Sequence, residues 1–510
     1  MGRRRSPLFA MAVVAVSLVL VSGSAIAADV PESKGFRKAV TLAGIREHQQ
    51  ALQDIADENN DTRSSGTPGY EASAQYVFDR LTDAGYDPEL QPFDFAFYRQ
   101  LAPSTFERVS PSPRTYVEGA AAEYAVMTYS GSGNVTASVT HVGDTGGSIP
   151  GAGCETPDFA GFPAGNIALI QRGACAFAIK AQNAQSAGAT GVVIYNNIAG
   201  PLNGTLGAPG ITVPVVGTLQ SIGVENAALP GVVFHLQTST ESEIRETWNV
   251  IAKTASGDPN RVVVVGAHLD SVLPGPGIND NGSGSGTILE IAEVFAAQGR
   301  EARNKLRFMW FGAEEFNLLG SQFYINDLSQ AEEDKIMAMV NFDMVGSPNY
   351  VRFVYDGDNS AFPVGPGAAA GPPGSAFIED LFADYFNSQN LAHDPTPFSG
   401  RSDYGPFIAV GIPAGGLFTG AEGIKTAAQA ATYGGTAGIG YDPCYHQACD
   451  TFANNSNAGL DEMSDAAAHV VLTLSRLKID VRQTEASAAL RTSGSLVADA
   501  PLHADGAVDR

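Results

Sequence analysis

Apolar and polar positions change their period along this chain, and the changes mark out its elements. In "GYEASAQYVFDRLTDAG" (69–85) the apolar residues recur at helical spacing and the run closes on Gly85, which predicts an amphipathic helix. "YDPELQPFDF" (86–95) alternates and predicts a strand. Further on, "RVVVV" (261–265), "KLRFMWF" (305–311) and "KIMAMVNF" (335–342) are short continuous apolar runs, the pattern of strands buried on both faces. Helical patterns separate them, "TILEIAEVFAAQG" (287–299) and "LLGSQFYINDL" (318–328). This alternation predicts an α/β fold, a mixed, mostly parallel sheet sandwiched by helices. "WNVIAKT" and "RVVVVGA" flank "ASGDPN" (255–260), which reads as a hairpin signal.

The pattern changes character between residues 122 and 240. "GNIALIQRGACAFAIKAQNAQSAGATGVVIYNN" (165–197) reads strand, loop, helix, strand between Gly/Pro-rich loops, with no titratable cluster suited to catalysis. A small β-rich module at 122–240 is expected, inserted into a larger domain built from 36–121 and 241–477. The Ser/Pro-rich stretch 101–119 reads as a linker, 28–35 as a loose N-terminus and 478–510 as a disordered tail. Residues 1–27 read as a signal peptide. Arg3, Arg4 and Arg5 precede an apolar run from Leu8 to Val21, and small residues close it at 25–27. The run is shorter than the roughly 20 residues a membrane span needs. A secreted, extracellular monomer with no stable membrane association is expected, with Sec and Tat export both open.

Composition narrows this further. Acidic residues number 54 against 30 basic, a net charge of −24, which excludes the basic footprint of a nucleic-acid binder. The four cysteines all follow the signal. An even count in an oxidising compartment suggests disulfides. The local pairs Cys154–Cys175 and Cys444–Cys449 are expected, the other pairings staying open.

The candidate chemistry lies just after the apolar runs. His268 follows "VVVVGA", Glu314 and Glu315 follow "LRFMWFGA", and Asp343 follows "IMAMVNF". Asp280 lies in the loop "GAHLDSVLPGPGINDNGSGSG" (266–286), and His446 lies in "YDPCYHQACD" (441–450). In open α/β sheets, sites are built beyond the C-terminal ends of the strands. Singly, each residue has a bland reading as a cap, a turn residue or a solvated pair. Together they would be costly to bury without a common partner, and a dication supplies one. Imidazole and carboxylate without thiolate suit zinc. Two His and three carboxylates suffice for two open sites if one carboxylate bridges; a mononuclear site with spare acids is the competing count. Asp270, two residues from His268, is placed to accept its other ring N–H.

Read in order, "GAHLDSV…GINDNGSG", "WFGAEE", "NFDMVGSP", "GRSDYGPF", "GGLFTGA" and "CYHQACD" resemble the M28 zinc aminopeptidases, in particular secreted double-zinc enzymes of the Streptomyces type. The resemblance covers about 36–95 and 244–475. Within the insertion, "GNIALIQRG" and "AGATGVVIYNN" resemble a protease-associated (PA) domain. The resemblance implies two Zn²⁺ per chain, with Asp280 bridging, His268 and Asp343 completing one site, and Glu315 and His446 the other. It implies Glu314 as general base, Tyr445 as hydrogen-bond donor to the oxyanion, Arg401 as a substrate-positioning residue, and Phe418 in an apolar pocket for the first side chain. It implies a cis peptide bond at Asp280–Asn281. Substrates would be peptide and protein N-termini, with large hydrophobic first residues such as Leu preferred. The Streptomyces-type relatives also bind calcium through carboxylates resembling Asp461 and Asp465, and through an Asp for which this chain has Ala39. Three rival readings share the fold. Carboxypeptidases need a basic pocket, glutaminyl cyclases use a smaller ligand set, and receptor-like members have lost the metal ligands.

Overall fold

A computed structural model describes residues 33–484. The expected signal peptide and most of the expected tail lie outside the described residues.

The apolar runs become the buried middle of an eight-stranded sheet. Its order is Glu89–Gln100, Thr240–Lys253, Asn304–Phe311, Asp258–His268, Ile336–Phe342, Ala414–Phe418, Phe353–Tyr355 and Asp394–Thr396. The four strands from Asn304–Phe311 to Ala414–Phe418 are mutually parallel. Antiparallel pairs flank them. The run Val262–Val265 shows why both faces must be covered. Val263 and Val265 pack into one core with the helices Leu42–Glu58, Pro68–Asp83, Gly282–Ala297 and Asn457–Arg476. Val262 and Val264 pack into the opposite core with Tyr324, Tyr404 and Phe407. All four are essentially inaccessible, and each contributes about 1.5–3 kcal/mol of apolar burial.

The hairpin expected at 255–260 does not form. Strand Thr240–Lys253 pairs with Asn304–Phe311, which lies between it and Asp258–His268. The connection crosses the start of the intervening strand: Thr254 N–H donates to Leu306 O, and Asp258 N–H to Arg303 O. Gly257 sits there at φ +101°, so close that a Cβ would lie 2.7 Å from the Lys305 backbone. The turn residues announced a reversal, but a strand from further along the chain took the neighbouring position.

The insertion enters and leaves along one long stem, in which Glu89–Gln100 pairs antiparallel with Thr240–Lys253 through to Gln100↔Thr240. Beyond it lies a second eight-stranded sheet. Its order is Arg114–Thr115, Thr105–Ser110, Val233–Thr238, Gly133–Val142, Ile167–Gln171, Gly191–Tyr195, Val215–Thr218 and Tyr124–Val126. The stretch read as a linker therefore supplies two strands of this sheet. Phe106, fully buried against Tyr116, Tyr124 and Phe234, holds it in the core. At the other end, Val481 is buried in the main core, so the chain is still packed past residue 478. Ser33 is buried as well and sits 2.7 Å from His469 Nδ1, so the segment read as a loose N-terminus is anchored by residue 33. Both disulfides are the local ones, Cys154–Cys175 in the insertion and Cys444–Cys449 in the main domain.

Candidate metal centre and cleft

Strand ends and one helix start converge at the C-terminal edge of the main sheet. His268 is the last residue of its strand, Asp343 follows Phe342, and Glu314 and Glu315 follow Phe311 after a two-residue turn. Asp280 precedes the helix Gly282–Ala297 through a cis Asp280–Asn281 peptide, as the resemblance implied. Asn281 caps that helix, accepting from Gly284 N–H (2.8 Å) and donating to Phe342 O (2.9 Å). This ties the loop to the neighbouring strand. Gly284 is required for the approach, because a Cβ there would sit 2.0 Å from Phe342 O. Ala313, Met344 and His446 all have φ between +51° and +57°, a region that costs a non-glycine residue about 1–2 kcal/mol. Each is, or adjoins, one of the candidate chemical residues.

Asp280 stands in the middle of the cluster. Its Oδ1 lies 3.2 Å from His268 Nε2 and its Oδ2 lies 3.2 Å from His446 Nε2. His268 Nε2 is also 3.2 Å from Asp343 Oδ1, and His446 Nε2 is 3.2 Å from Glu315 Oε2. Two three-ligand groups result, His268–Asp280–Asp343 and Asp280–Glu315–His446. All five side chains are buried or nearly so. Each trio of imidazole and carboxylate matches the donor set of zinc or another first-row dication, with room for further ligands.

The electrostatics ask for positive charge at this point. Burial disfavours a charged His268, yet the surrounding carboxylates, Glu314 and Asp343 foremost, hold its pKa well above the imidazole range. His446 is likewise opposed by burial and pushed up to about 9 by Asp280 and Glu315. Burial raises Glu314 well above the carboxylate range, and Glu315, Asp343 and Asp403 add to it against His268. A divalent cation between these oxygens would relieve the repulsion that the two imidazoles only partly offset.

Asp270 acts differently from the expectation. The partner of His268 Nδ1 is the Asp270 backbone carbonyl, at 3.1 Å, while the carboxylate is 3.7 Å away. That carboxylate instead accepts the Glu314 N–H at 3.1 Å. The strand end turns the carbonyl towards the ring, so the tautomer is set by the backbone and the side chain positions Glu314. The two carboxylates expected to hold calcium, Asp461 and Asp465, lie one turn apart on the helix Asn457–Arg476. Arg37 Nη1 holds Asp465 Oδ2 at 2.9 Å, and Tyr385 OH donates to the same oxygen. Among the described residues, neither Asp461 nor Asp465 joins two other His, Cys, Asp or Glu side chains within metal-binding reach. A guanidinium already supplies the positive charge there.

Other residues of the site were not singled out by sequence. Asp450 accepts the N–H groups of Asn279 and Asp280, each at 2.9 Å, and so fixes the loop that presents the shared carboxylate. It closes the quoted motif "CYHQACD", which was the available signal. Ser402 donates to Asp343 Oδ2 at 2.6 Å. Arg63, fully buried, donates to the carbonyls of Leu269, Pro276 and Gly277. Through these three carbonyls Arg63 braces the same loop.

A cleft of about 270 Å³ opens over the cluster. Met344, Phe353, Tyr355 and Phe418 form an apolar wall on one side, with the Phe353 and Phe418 rings stacked at 6.0 Å. On the rim, Arg401 donates to Glu422 Oε1 at 2.7 Å and to Tyr445 OH at 3.0 Å. The Tyr445 ring stacks on His446 with centroids 3.8 Å apart.

Two lobes, one of them carrying a buried N/O cluster at the sheet edge, define a metallohydrolase-type architecture. Comparisons with known proteins make the class specific. The model of peptidase family M28 matches residues 249–471, and the PA domain model matches residues 135–225. An aminopeptidase of Pseudomonas aeruginosa (strain PAO1) is 45% identical over 451 residues, 86% of this chain and 82% of its own length. A probable leucine aminopeptidase 2 of Aspergillus oryzae is 39% identical over 448 residues, covering 86% and 85%. Among solved structures, an aminopeptidase from Aneurinibacillus sp. strain AM-1 superposes with a TM-score of 0.59 at 29% identity, over 86% of this chain and 95% of its own. The zinc aminopeptidase BSAP of Bacillus subtilis shares the fold, with a TM-score of 0.56 at 23% identity, over 87% and 97%. The chain belongs to peptidase family M28, carries an inserted PA domain, and is an aminopeptidase.

Proposed function

We propose that this chain is a secreted two-zinc aminopeptidase that hydrolyses the first peptide bond of peptides and proteins and prefers large apolar N-terminal residues such as Leu. The observation that carries this reading is the shared carboxylate, with one oxygen of Asp280 facing His268 and the other facing His446 at 3.2 Å each. His268, Asp280 and Asp343 would hold one zinc, and Asp280, Glu315 and His446 the other. Bound there, the metals would supply Lewis acidity to the scissile carbonyl and to the attacking water.

The remaining chemistry belongs to the chain. Glu314 takes a proton from the attacking water and returns it to the leaving amine. Burial and the neighbouring carboxylates raise its pKa above the carboxylate range, the direction a general base that also returns the proton needs. Tyr445, kept in place by Arg401 and by the His446 ring, donates to the oxygen on which negative charge develops. The carboxylates of Glu314 and Asp343 attract the substrate's free ammonium. The wall of Met344, Phe353, Tyr355 and Phe418 receives the first side chain. Export accords with two disulfides. Among the described residues, no helix is long and apolar enough to cross a membrane.

Leucine p-nitroanilide and its N-acetylated counterpart test the reading when assayed side by side, before and after chelation and after zinc is restored. Cleavage of the free-amine substrate alone, lost with chelator and regained with zinc, is expected. Equal cleavage of both substrates, or full activity in the metal-free protein, would overturn it.

A further inference from the structure

A second cluster of the same donor types lies away from the cleft, where the helix Leu42–Glu58 crosses the helix Gly282–Ala297. His48, Glu290 and Glu293 each present a ligand atom within 4.8 Å of the others. Glu290 and Glu293 are three residues apart on one helix and therefore share a face. Nothing in the proposed reaction uses them.

The imidazole is the informative member. His48 is 1% exposed, and its Nδ1 lies 2.8 Å from Tyr76 OH. Its Nε2 has no hydrogen-bond partner, yet it points between Glu290 Oε2 at 3.9 Å and Glu293 Oε2 at 3.8 Å. These distances are too long for hydrogen bonds. With Nδ1–H donated to Tyr76, the Nε2 lone pair faces two carboxylate oxygens, an arrangement that calls for a cation between them. The hydroxyl then plays the part of the outer partner that orients a ligating imidazole.

Hydrogen bonds fix where both carboxylates stand, and the Oε2 atom of each remains within 4 Å of His48 Nε2. Glu290 Oε1 accepts the Thr41 N–H at 3.0 Å and the Thr41 hydroxyl at 3.2 Å. Its carboxylate rests on Gly44, where a Cβ would come within 2.3 Å of Oε2. Glu293 is gripped by Arg80, Nε to Oε1 at 2.7 Å and Nη2 to Oε2 at 2.9 Å. Arg80 also holds Glu47 at 2.7 Å. Burial keeps His48 neutral and raises the pKa of the Glu290 carboxyl, with Glu293 adding to it, so positive charge beside these carboxylates comes from Arg80 alone among the described groups that contact them.

We propose that His48, Glu290 and Glu293 form a structural zinc site that clamps the helix Leu42–Glu58 to the helix Gly282–Ala297. One imidazole and two carboxylates, with no thiolate, form an N/O set suited to zinc. Zinc bonds of about 2.0–2.1 Å require His48 Nε2 and the two carboxylate oxygens to draw closer than the 3.8–3.9 Å that now separates them. The clamped helix is the one that begins beside Asp280, so the site steadies the helix from which the shared carboxylate is presented without contributing to the cleft.

The test counts metal. The full-length mature protein and its His48→Gln and Glu293→Gln variants are stripped with chelator, reloaded with zinc alone, passed through gel filtration and analysed for zinc. The wild type is expected to retain one zinc per chain more than either variant. Leucine p-nitroanilide turnover in the zinc-loaded variants is expected within about twofold of wild type. Equal zinc counts in folded variants would overturn the proposal. Should the variants fail to fold, wild-type crystals grown with zinc decide it by anomalous scattering at the zinc edge. A peak about 2.1 Å from His48 Nε2 supports the site, and a map without one there removes it.

Discussion

The two sheets of this protein share a plan and differ in the residues placed just past their strands. In the inserted sheet, Ile167–Gln171, Gly191–Tyr195 and Val215–Thr218 are parallel, apolar and buried, much like the middle of the main sheet. The groups beyond them satisfy one another. Asn196 Oδ1 accepts the Asn197 N–H, its amide donates to Gly200 O and Pro201 O, and the Thr218 hydroxyl donates to Glu123 O. At the main sheet's edge the groups are ionisable, crowd within reach of one another and push the pKa values of both His268 and Glu314 upward, and Asp270 Oδ2 is buried without a hydrogen bond. Parallel strands provide a place where loops converge. Whether chemistry happens there depends on whether the residues placed on the loops cancel each other or require a further partner.

Substitutions at the two edges should therefore fail in opposite ways. Glu314→Gln is expected to lower kcat by about 10³-fold. Because it removes a buried carboxylate that burial and its neighbours hold far above its usual pKa, the melting temperature of the metal-free variant should equal or exceed that of wild type. Steady-state kinetics with differential scanning calorimetry reads both. Tyr445→Phe should cost about 10²-fold in kcat with little change in KM. A change confined to KM would assign the hydroxyl to ground-state binding instead. Asp450→Ala removes the acceptor of two loop N–H groups, and should lower kcat/KM by about 10–100-fold and stability by about 3 kcal/mol in urea unfolding. It is the one change at this edge that should damage both properties. Asn196→Ala in the insertion should cost about 1–2 kcal/mol in the same unfolding experiment and leave kcat unchanged. A loss of turnover there would mean that the two edges are not independent.

The smallest effect concerns acid. Burial first, then Arg37, push His469 down to about 4. The ring lies 2.7 Å from Ser33 Oγ and stacks on Tyr385. A histidine with a depressed folded pKa contributes stability that is fully present above its ordinary value near 6.5 and is lost as pH falls through about 4. His469→Gln should flatten the fall of melting temperature across that window, and an unchanged slope would place the acid sensitivity elsewhere, at the carboxylate edge.

Much of the fold was legible because burial leaves a local imprint. Continuous apolar runs predicted the inner strands, and helical spacing at 69–85 predicted the helix Pro68–Asp83. The candidate site was legible for the same reason, since His268, Glu314, Glu315 and Asp343 come directly after runs that had to be buried. The linker reading of 101–119 went astray because Ser and Pro there hid two aromatics, Phe106 and Tyr116, that pack on each other in the core of the inserted sheet. Asp450 escaped because its motif "CYHQACD" drew attention to Tyr445 and His446, while its own partners, the N–H groups of residues 279 and 280, lie far away in sequence.

By itself the sequence determined which segments must be buried, which polar groups they carry to the sheet edge, and that four cysteines could pair. Tertiary structure decided the partnerships. It placed Asn304–Phe311 where a hairpin partner was expected, gave Asp280 one oxygen for each imidazole, turned the Asp270 carbonyl rather than its carboxylate to His268, and set His48 between two glutamates. Pattern along a chain reports only that a group leaves water. Which group it meets there is settled by competition among strands and loops that look alike locally and differ only in how well they fit when brought together in three dimensions.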